Sequence, residues 1–277
     1  MHLLLKDNQI LNFPTMKIMG ILNATPDSFF GESRVPLLEN AMNKAAEMIK
    51  YGAEILDIGG ESTRPGCDPV TPEEEAERIL PLIQNLRKNF PGILISVDTY
   101  HASTAAKAFE YGADMLNDIS ALNGDKDMAD VAATYQVPVI LMHMQGTPKH
   151  MQENPRYENV VKEVKKFFEQ QIDFALSKGI KRERLILDPG IGFGKTLEHN
   201  LELIRSVDCF KELHLPILLA GSRKTFIGQT LGNLPPEERL EGTMALSAFA
   251  AMHHIEMIRV HDVKENVRIV RMMEALQ

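Results

Sequence analysis

The sequence predicts an α/β protein built as one (β/α)8 barrel, and three observations carry that expectation. Short apolar runs alternate with longer amphipathic stretches, the pattern of βα units feeding a parallel sheet. Eight such runs can be counted along the chain. Its 277 residues suit eight strand–helix pairs with no remainder for a second domain, so residues 1–277 are expected to form a single unit. Periodicity does not show closure, and an open doubly wound sheet is the alternative.

The expected strands are Met16–Leu22, Ile55–Ile58, Ile93–Val97, Met115–Asn117, Pro138–Met142, Arg184–Leu187, Ile217–Ala220 and Met257–Val260. Helical stretches between them include Leu37–Tyr51, Pro72–Phe90, Tyr157–Lys178 and Arg239–His254. Asp262 is placed to cap a last helix running to Leu276, since a carboxylate at that position accepts from otherwise unpaired N–H groups. Ahead of the first strand, Leu3–Leu5 and Ile10–Phe13 flank the turn-like Lys6-Asp7-Asn8-Gln9. That pattern is a β-hairpin, and a hairpin at the open bottom of a barrel would plug it.

Composition narrows the partners. The formal net charge of −8 disfavours nucleic acid and anionic membranes across the surface as a whole, without excluding a local basic pocket. No apolar run approaches the roughly 18 residues of a membrane span. The three leucines near the start are too few for a secretory leader, so the glycosylation-like Asn23-Ala24-Thr25 is taken as chance. Two cysteines far apart, Cys67 and Cys209, form neither a zinc pattern nor a disulfide framework, and suit a reducing cytoplasm.

Function is sought at the carboxyl ends of the strands, where parallel α/β folds collect their chemistry. Asn23, Asp57, Asp98, Thr99, Asn117, Asp118, His143, Asp188, Ser222, Lys224, Arg259 and His261 all fall there. A single Asp at a strand end is commonly a helix cap or a turn residue, but that explanation does not cover the whole set. Asp57 and His143 are assigned structural roles. Arg259 and His261 stand two apart in a strand and face one side, which makes an anion pocket. The helix start after Ser222 adds backbone N–H groups.

Residues 188–196, Asp-Pro-Gly-Ile-Gly-Phe-Gly-Lys-Thr, look like a phosphate loop but fail the test. The Walker pattern requires Gly where Pro189 stands, and the dinucleotide fingerprint requires G-x-G-x-x-G where this is G-x-G-x-G. The plain expectation is a loop that presents Asp188 and offers Phe193 for stacking. No local metal-ligand spacing occurs, so any metal is expected to be Mg²⁺ held mainly by phosphate oxygens and water.

Taken in order, these motifs resemble the dihydropteroate synthases. The resemblance rests on Met19-Gly20-Ile21-Leu22-Asn23-Ala24-Thr25-Pro26-Asp27-Ser28-Phe29, Gly59-Gly60-Glu61-Ser62-Thr63-Arg64-Pro65-Gly66 and Val97-Asp98-Thr99. It continues through Asn117-Asp118-Ile119-Ser120, Met142-His143-Met144-Gln145-Gly146-Thr147-Pro148, Asp188-Pro189-Gly190, Ser222-Arg223-Lys224 and Arg259-Val260-His261. It spans roughly residues 16–262.

The resemblance implies a TIM barrel that condenses 6-hydroxymethyl-7,8-dihydropterin pyrophosphate with p-aminobenzoate in folate biosynthesis. It further implies dissociative displacement of pyrophosphate, Mg²⁺ as cofactor, a homodimer, and sulfonamides as competitors of p-aminobenzoate. Asp98, Asn117, Ile119, Met142, Asp188, Lys224 and Arg259 look like the pterin site. Lys224, Arg259, Asp98 and Asp188 are its catalytic set. Asn23, Thr63, Arg64, Arg259 and His261 look like the pyrophosphate site, with Asn23 also on the metal. Pro65, Phe193 and Ser222 look like the p-aminobenzoate site. Loops 24–36 and 60–71 are expected to close over the substrates.

The chain departs from the family's pattern after Phe29. Relatives commonly continue Ser-Asp-Gly-Gly, whereas this chain has Phe30-Gly31-Glu32-Ser33-Arg34, with Glu32 as the substitute acid; His101 stands where Lys is frequent. Three rivals are weighed. A pterin-dependent methyltransferase shares the barrel but has no use for Ser222-Arg223-Lys224 together with Arg259-Val260-His261. A non-catalytic pterin-binding paralogue is supported only by the altered first loop. An aldolase-type barrel would need a Schiff-base lysine at the end of the sixth strand, where this chain has none.

Overall fold

The computed structural model describes residues 1–24, 34–61 and 70–277. Two three-residue strands, β1 (His2–Leu4) and β2 (Ile10–Asn12), pair antiparallel in the register Leu3↔Leu11. Asp7 and Asn8 turn the chain between them in left-handed conformation, φ 62° and 59°; Asp and Asn tolerate that region better than most side chains.

Strands and helices then alternate: β3 (Lys17–Asn23), α1 (Arg34–Lys50), β4 (Ile55–Gly59), α2 (Pro72–Asn89), β5 (Leu94–Asp98), α3 (Ala102–Glu110), β6 (Met115–Asp118) and α4 (Met128–Tyr135). The second half adds β7 (Val139–Met142), α5 (Val160–Ser177), β8 (Leu185–Asp188), α6 (Leu197–Arg205), β9 (Leu218–Leu219), α7 (Thr225–Thr230), α8 (Leu240–Met252), β10 (Met257–Val260) and α9 (Val263–Ala275). The main sheet has eight parallel strands in the order β8-β7-β6-β5-β4-β3-β10-β9. A parallel bridge between Leu187 and Ile217 joins its two ends, supported by the Leu187 N–H donating to the Pro216 carbonyl at 2.9 Å. The barrel is closed, and the open-sheet alternative falls.

Two differences from the expected elements matter for the site. Strands β3, β4, β5, β6 and β8 run one residue further than expected, through Asn23, Gly59, Asp98, Asp118 and Asp188. The polar rim residues are therefore the last rungs of the ladder, not the first residues of loops. An apolar run marks where a strand is buried, whereas backbone pairing continues past it. Conversely β9 shrinks to Leu218–Leu219. Asp262 is the residue before α9 but makes no capping bond; its carboxylate instead takes the Arg223 guanidinium in two bonds of 2.7 and 2.6 Å.

Alternation along the strands sorts side chains into two cores. Outward residues such as Ile18, Leu22, Ile58, Val97, Leu116, Leu141 and Leu187 pack against the helices. Inward residues Met19, Ile55, Met115, Ile140, Ile186, Leu218 and Met257 form an apolar layer with Leu3 and Leu5 of the hairpin, and with Leu11, Phe13 and Leu94 beside them. The hairpin thus plugs the barrel, as expected. Buried Arg184 fixes it there, donating to the Leu5 carbonyl at 2.9 Å, to Asn8 Oδ1 at 3.2 Å and to the Gln136 carbonyl. Each fully buried Leu or Ile contributes about 1.5–3 kcal/mol, so this layer is a large share of what closes the bottom.

Candidate active site

Two residues further along each strand, the inward layer changes character. Ile21, Asp57, Ser96, Asn117, Met142, Asp188, Ala220 and Arg259 follow the apolar layer by the period of two, and Asn23, Gly59, Asp98 and His261 stand beyond them. Water-facing polarity inside a closed barrel has a cost unless the groups are paired. Here they are paired across the barrel. Arg259 Nε donates to Asp57 Oδ2 at 2.5 Å and Nη2 to Asp98 Oδ2 at 2.7 Å, while Asn117 Nδ2 donates to the same Asp57 oxygen at 3.0 Å. Asp57 is wholly buried. The structural role expected for it takes a definite form: Asp57 lies at the floor of the barrel and pairs with Arg259.

Two buried oxygens at this floor have no partner among the described residues, Asp57 Oδ1 and Ser96 Oγ. They belong to facing residues of β4 and β5. Buried polar atoms are nearly always satisfied, so this pair marks where a polar ligand or water completes the floor. Above them, Asn23 Oδ1 and Asp98 Oδ2 converge over Gly59, each just under 4 Å from where a Cβ would sit, at 3.8 and 3.7 Å. The missing side chain leaves that space open between an amide oxygen and a carboxylate.

Asp188, at the end of β8, accepts from the Gly190 N–H at 2.8 Å and lies across from Met142 in the sheet register. Burial raises its pKa, opposed by Lys224, the Gly190 amide and Arg259. Burial also pushes Asp98 up to about 7, against the pull of Arg259 and with the repulsion of Asp57 and Glu75. Arg259 is pulled down by burial but held above its ordinary value by Asp57 and Asp98. Lys224 comes down to about 8 through burial, with Asp188 opposing and Arg259 reinforcing. Its ammonium donates to the Ile191 carbonyl at 2.5 Å and lies 4.5 Å from the centre of the Phe193 ring, a cation–π contact.

On the other side of the rim, Ser222 and His261 form a closed pair. The His261 N–H donates to Ser222 Oγ at 3.2 Å, and Ser222 Oγ lies 3.0 Å from His261 Nδ1. Burial, with the charge of Arg259, drops the imidazole pKa to about 3. The ring is therefore neutral, the hydroxyl donates to Nδ1, and the remaining proton sits on Nε2. The following helix begins only at Thr225, with Lys224 as its N-cap. Arg223 serves the scaffold. It is left-handed at φ 56°, its N–H donates to Thr243 Oγ1 at 3.0 Å, and its side chain holds Asp262.

The structure thus brings together Asn23, Asp98, Asn117, Met142, Asp188, Phe193, Ser222, Lys224, Arg259 and His261, with Ile119 buried just past the end of β6. Thr63, Arg64, Pro65 and Glu32, and most of the two loops expected to close, lie outside the described residues. Asp118 turns away from the site, accepting from Ser120 N and Oγ and Leu122 N at 2.6–2.8 Å to shape a turn. His143 is buried and neutral, its pKa lowered to about 3 by burial and by Lys195.

One cluster escaped the sequence reading because its members come from three elements. Glu61, buried Glu75 and His101 place ligand-type atoms within 4.8 Å of one another. These atoms are engaged with protein partners: Tyr100 donates to Glu61 at 2.9 Å, Thr99 to Glu75 at 2.7 Å, and His101 Nδ1 lies 3.1 Å from Glu75. The hydrogen bond with Glu75 raises the His101 pKa. The cluster braces the ends of β4 and β5 against the first turn of α2, where Thr71 and Glu74 form a capping box.

Comparison with known proteins agrees with this geometry. The model of the pterin-binding enzyme family matches residues 19–261. The chain is 46% identical over 260 residues to the dihydropteroate synthase of Clostridium beijerinckii, covering 94% of this chain and 93% of that one. A Yersinia pestis dihydropteroate synthase solved with a sulfonamide drug complex superposes with TM-score 0.93 at 40% identity, covering 100% and 99%. A Xanthomonas albilineans dihydropteroate synthase solved with 4-aminobenzoic acid gives TM-score 0.92 at 37% identity, covering 100% and 98%. The chain belongs to the pterin-binding enzyme family and, within it, to the dihydropteroate synthases.

Proposed function

We propose that the floor of the barrel holds a dihydropterin through Asp98, Asn117, Asp188 and Lys224, and that this transferase joins the pterin to p-aminobenzoate with loss of pyrophosphate. The observation that carries the reading is the polar layer at and just above the floor, where carboxylates meet cations: Asp57, Asp98 and Asp188 against Arg259 and Lys224. A 2-amino-4-oxo pterin presents donors and acceptors side by side, which such a layer matches. The unsatisfied Asp57 Oδ1 and Ser96 Oγ add polar oxygens beneath it. Met142 and Ile119 wall the pocket.

Arg259 serves the pterin face and the diphosphate, and the Nε2–H of His261 faces the same anion. Asn23 is the protein ligand suited to Mg²⁺, since its amide oxygen is a hard donor beside the open space over Gly59. Bound there, Mg²⁺ would offset the charge of the departing diphosphate. Thr63 and Arg64 complete the anion site in this reading. The C–O bond to pyrophosphate breaks as positive charge spreads into the pterin, a dissociative displacement that the buried carboxylates favour electrostatically. The arylamine, neutral near pH 7, then forms the C–N bond and releases its extra proton. Phe193 and Pro65 wall the arylamine, and Ser222 with the start of α7 faces its carboxylate while the Ser222 hydroxyl keeps donating to His261 Nδ1. Positioning supplies much of the rate.

No helix among the described residues is long and apolar enough to cross a membrane. We place the enzyme in the cytoplasm as a homodimer, with α8 as the apolar face and Met252 exposed at its end. Sulfonamides occupy the p-aminobenzoate subsite in this reading. The test is pyrophosphate release by purified protein with Mg²⁺ and the pterin pyrophosphate, with and without p-aminobenzoate. Release matched by dihydropteroate establishes the activity; tight pterin binding without product would leave a non-catalytic binder.

A further inference from the structure

The phosphate-loop look-alike at 188–196 has a lysine that no step above uses. Lys195 is 3% exposed, and its ammonium points inward. It donates to the Gly190 carbonyl at 2.9 Å, the Phe193 carbonyl at 2.9 Å and the His143 carbonyl at 3.2 Å, and it lies 3.0 Å from His143 Nδ1. Two of these acceptors are in the loop after β8, and two belong to the residue that follows β7. The loop lies so close to that neighbour that a Cβ on Gly190 would collide with the His143 carbonyl, and one on Gly194 with the Gln145 carbonyl. Asn200 Oδ1 accepts from the Gly192 N–H at 2.7 Å and holds the far side. What looks like a cradle for phosphate is filled by the protein's own Lys195 Nζ, whose pKa burial lowers to about 7.

We propose that Lys195 is a positioning residue: its buried ammonium ties the loop after β8 to the end of β7, and so sets Ile191 and Phe193 against Lys224. The path is short and continuous. The loop held by Lys195 carries the Ile191 carbonyl that receives the Lys224 ammonium at 2.5 Å and the Phe193 ring that covers it at 4.5 Å. It also follows directly on Asp188, whose carboxylate accepts from Gly190 N–H. The partner His143 must be neutral with its proton on Nε2 for Nδ1 to accept, and burial keeps it so. The structural assignment of His143 thereby acquires a definite task. The inference rests on the reading that the arylamine lies against Phe193.

Lys195→Met keeps the length and removes the donors. In protein whose far-UV circular dichroism matches wild type, kcat/KM for p-aminobenzoate should fall roughly a hundredfold, with a smaller loss of affinity for the pterin diphosphate through Lys224. A merely structural lysine would lower the melting temperature and leave KM untouched. Because the tie acts through Phe193, the same substitution should cost much less in a Phe193→Ala background, a coupling that a double-mutant cycle reads directly. Equal losses in both backgrounds, or a folded Lys195→Met with wild-type kinetics, overturn the proposal. If Lys195→Met does not fold, His143→Gln removes one acceptor and should give the same split at smaller amplitude; wild-type kinetics there overturns it equally. Phe193→Ala alone tests the arylamine placement. If its KM for p-aminobenzoate is unchanged, that placement fails, while the coupling between Lys195→Met and Phe193→Ala in turnover still decides the tie: coupling upholds it and equal losses sink it.

Discussion

Arg259 and Asp57 stand 202 residues apart in the chain, and their side chains meet at 2.5 Å in the middle of the barrel. Asp57 is wholly buried and accepts from both Arg259 and Asn117. Asp57→Ala would leave Arg259 with Asp98 alone, and breaking a buried pair from one side costs about 3–5 kcal/mol. Asp57→Asn keeps the volume and one acceptor but removes the charge. It should fold, and it should lose at least about tenfold in turnover if Arg259 serves the diphosphate as proposed, because the guanidinium is no longer held in place. Denaturant melts and steady-state rates on the two variants check this. Wild-type turnover in Asp57→Asn would return Asp57 to a purely structural role.

Much of this was legible from residue pattern alone. Eight apolar runs located eight strands, and the polar residues at their ends located the rim, because a parallel barrel gives every strand the same direction and the same carboxyl-terminal face. The hairpin plug was legible for a similar reason: Leu3, Leu5 and Phe13 had nowhere else to be buried. Asp57, Ser96 and Lys195 were missed because their meaning lies in pairing. A lone Asp inside an apolar strand does not announce that an arginine two hundred residues later will face it. Lys195 was compared with a phosphate loop and set aside when the spacing failed, since no local rule shows that its partners are backbone carbonyls of another loop. Asp262 was misjudged because Arg223 competes for the same carboxylate and binds it in two bonds.

The pH profile should report Asp98 and Lys224. Asp98 is held near 7 by burial against Arg259, and Lys224 near 8 by burial against Asp188. If Asp98 works ionised and Lys224 works protonated, kcat/KM falls as pH drops below about 7 and again as it rises above about 8. Lys224→Arg replaces the alkaline group with one that stays charged. Its residual activity should therefore keep the acid limb and lose the alkaline one. An unchanged alkaline limb would assign that ionisation elsewhere.

His143 should make the fold sensitive to acid. Its pKa is about 3 in the folded protein, against roughly 6.5 unfolded. Between those values the unfolded chain binds the extra proton, so stability falls as pH falls, by up to about 1.4 kcal/mol per pH unit from this residue. The contribution is fully present above the unfolded pKa and is lost on the way down to the folded one. His143→Gln removes it. The difference in unfolding free energy between wild type and variant should therefore narrow, in the variant's favour, from pH 6.5 toward 4. A difference independent of pH would show that His143 is protonated in the folded state.

The bottom of the barrel should be separable from its chemistry. Leu3 is fully buried in the apolar layer that closes the strands from below, and the paired charges of Asp57 and Arg259 begin one layer higher. Leu3→Ala deletes that packing and leaves a cavity, a change that costs about 2–5 kcal/mol in buried cores. Arg184→Met strips the Gln136 carbonyl of its buried donor and leaves the Leu5 carbonyl with the Asn8 N–H alone, at about 1–3 kcal/mol for an acceptor left unsatisfied. Both variants should melt earlier, yet keep wild-type KM for both substrates at temperatures where they remain folded. A raised KM for the pterin in either variant would mean that the plug sets the height of the floor, with Asp57 and Arg259 moving when the layer beneath them gives way.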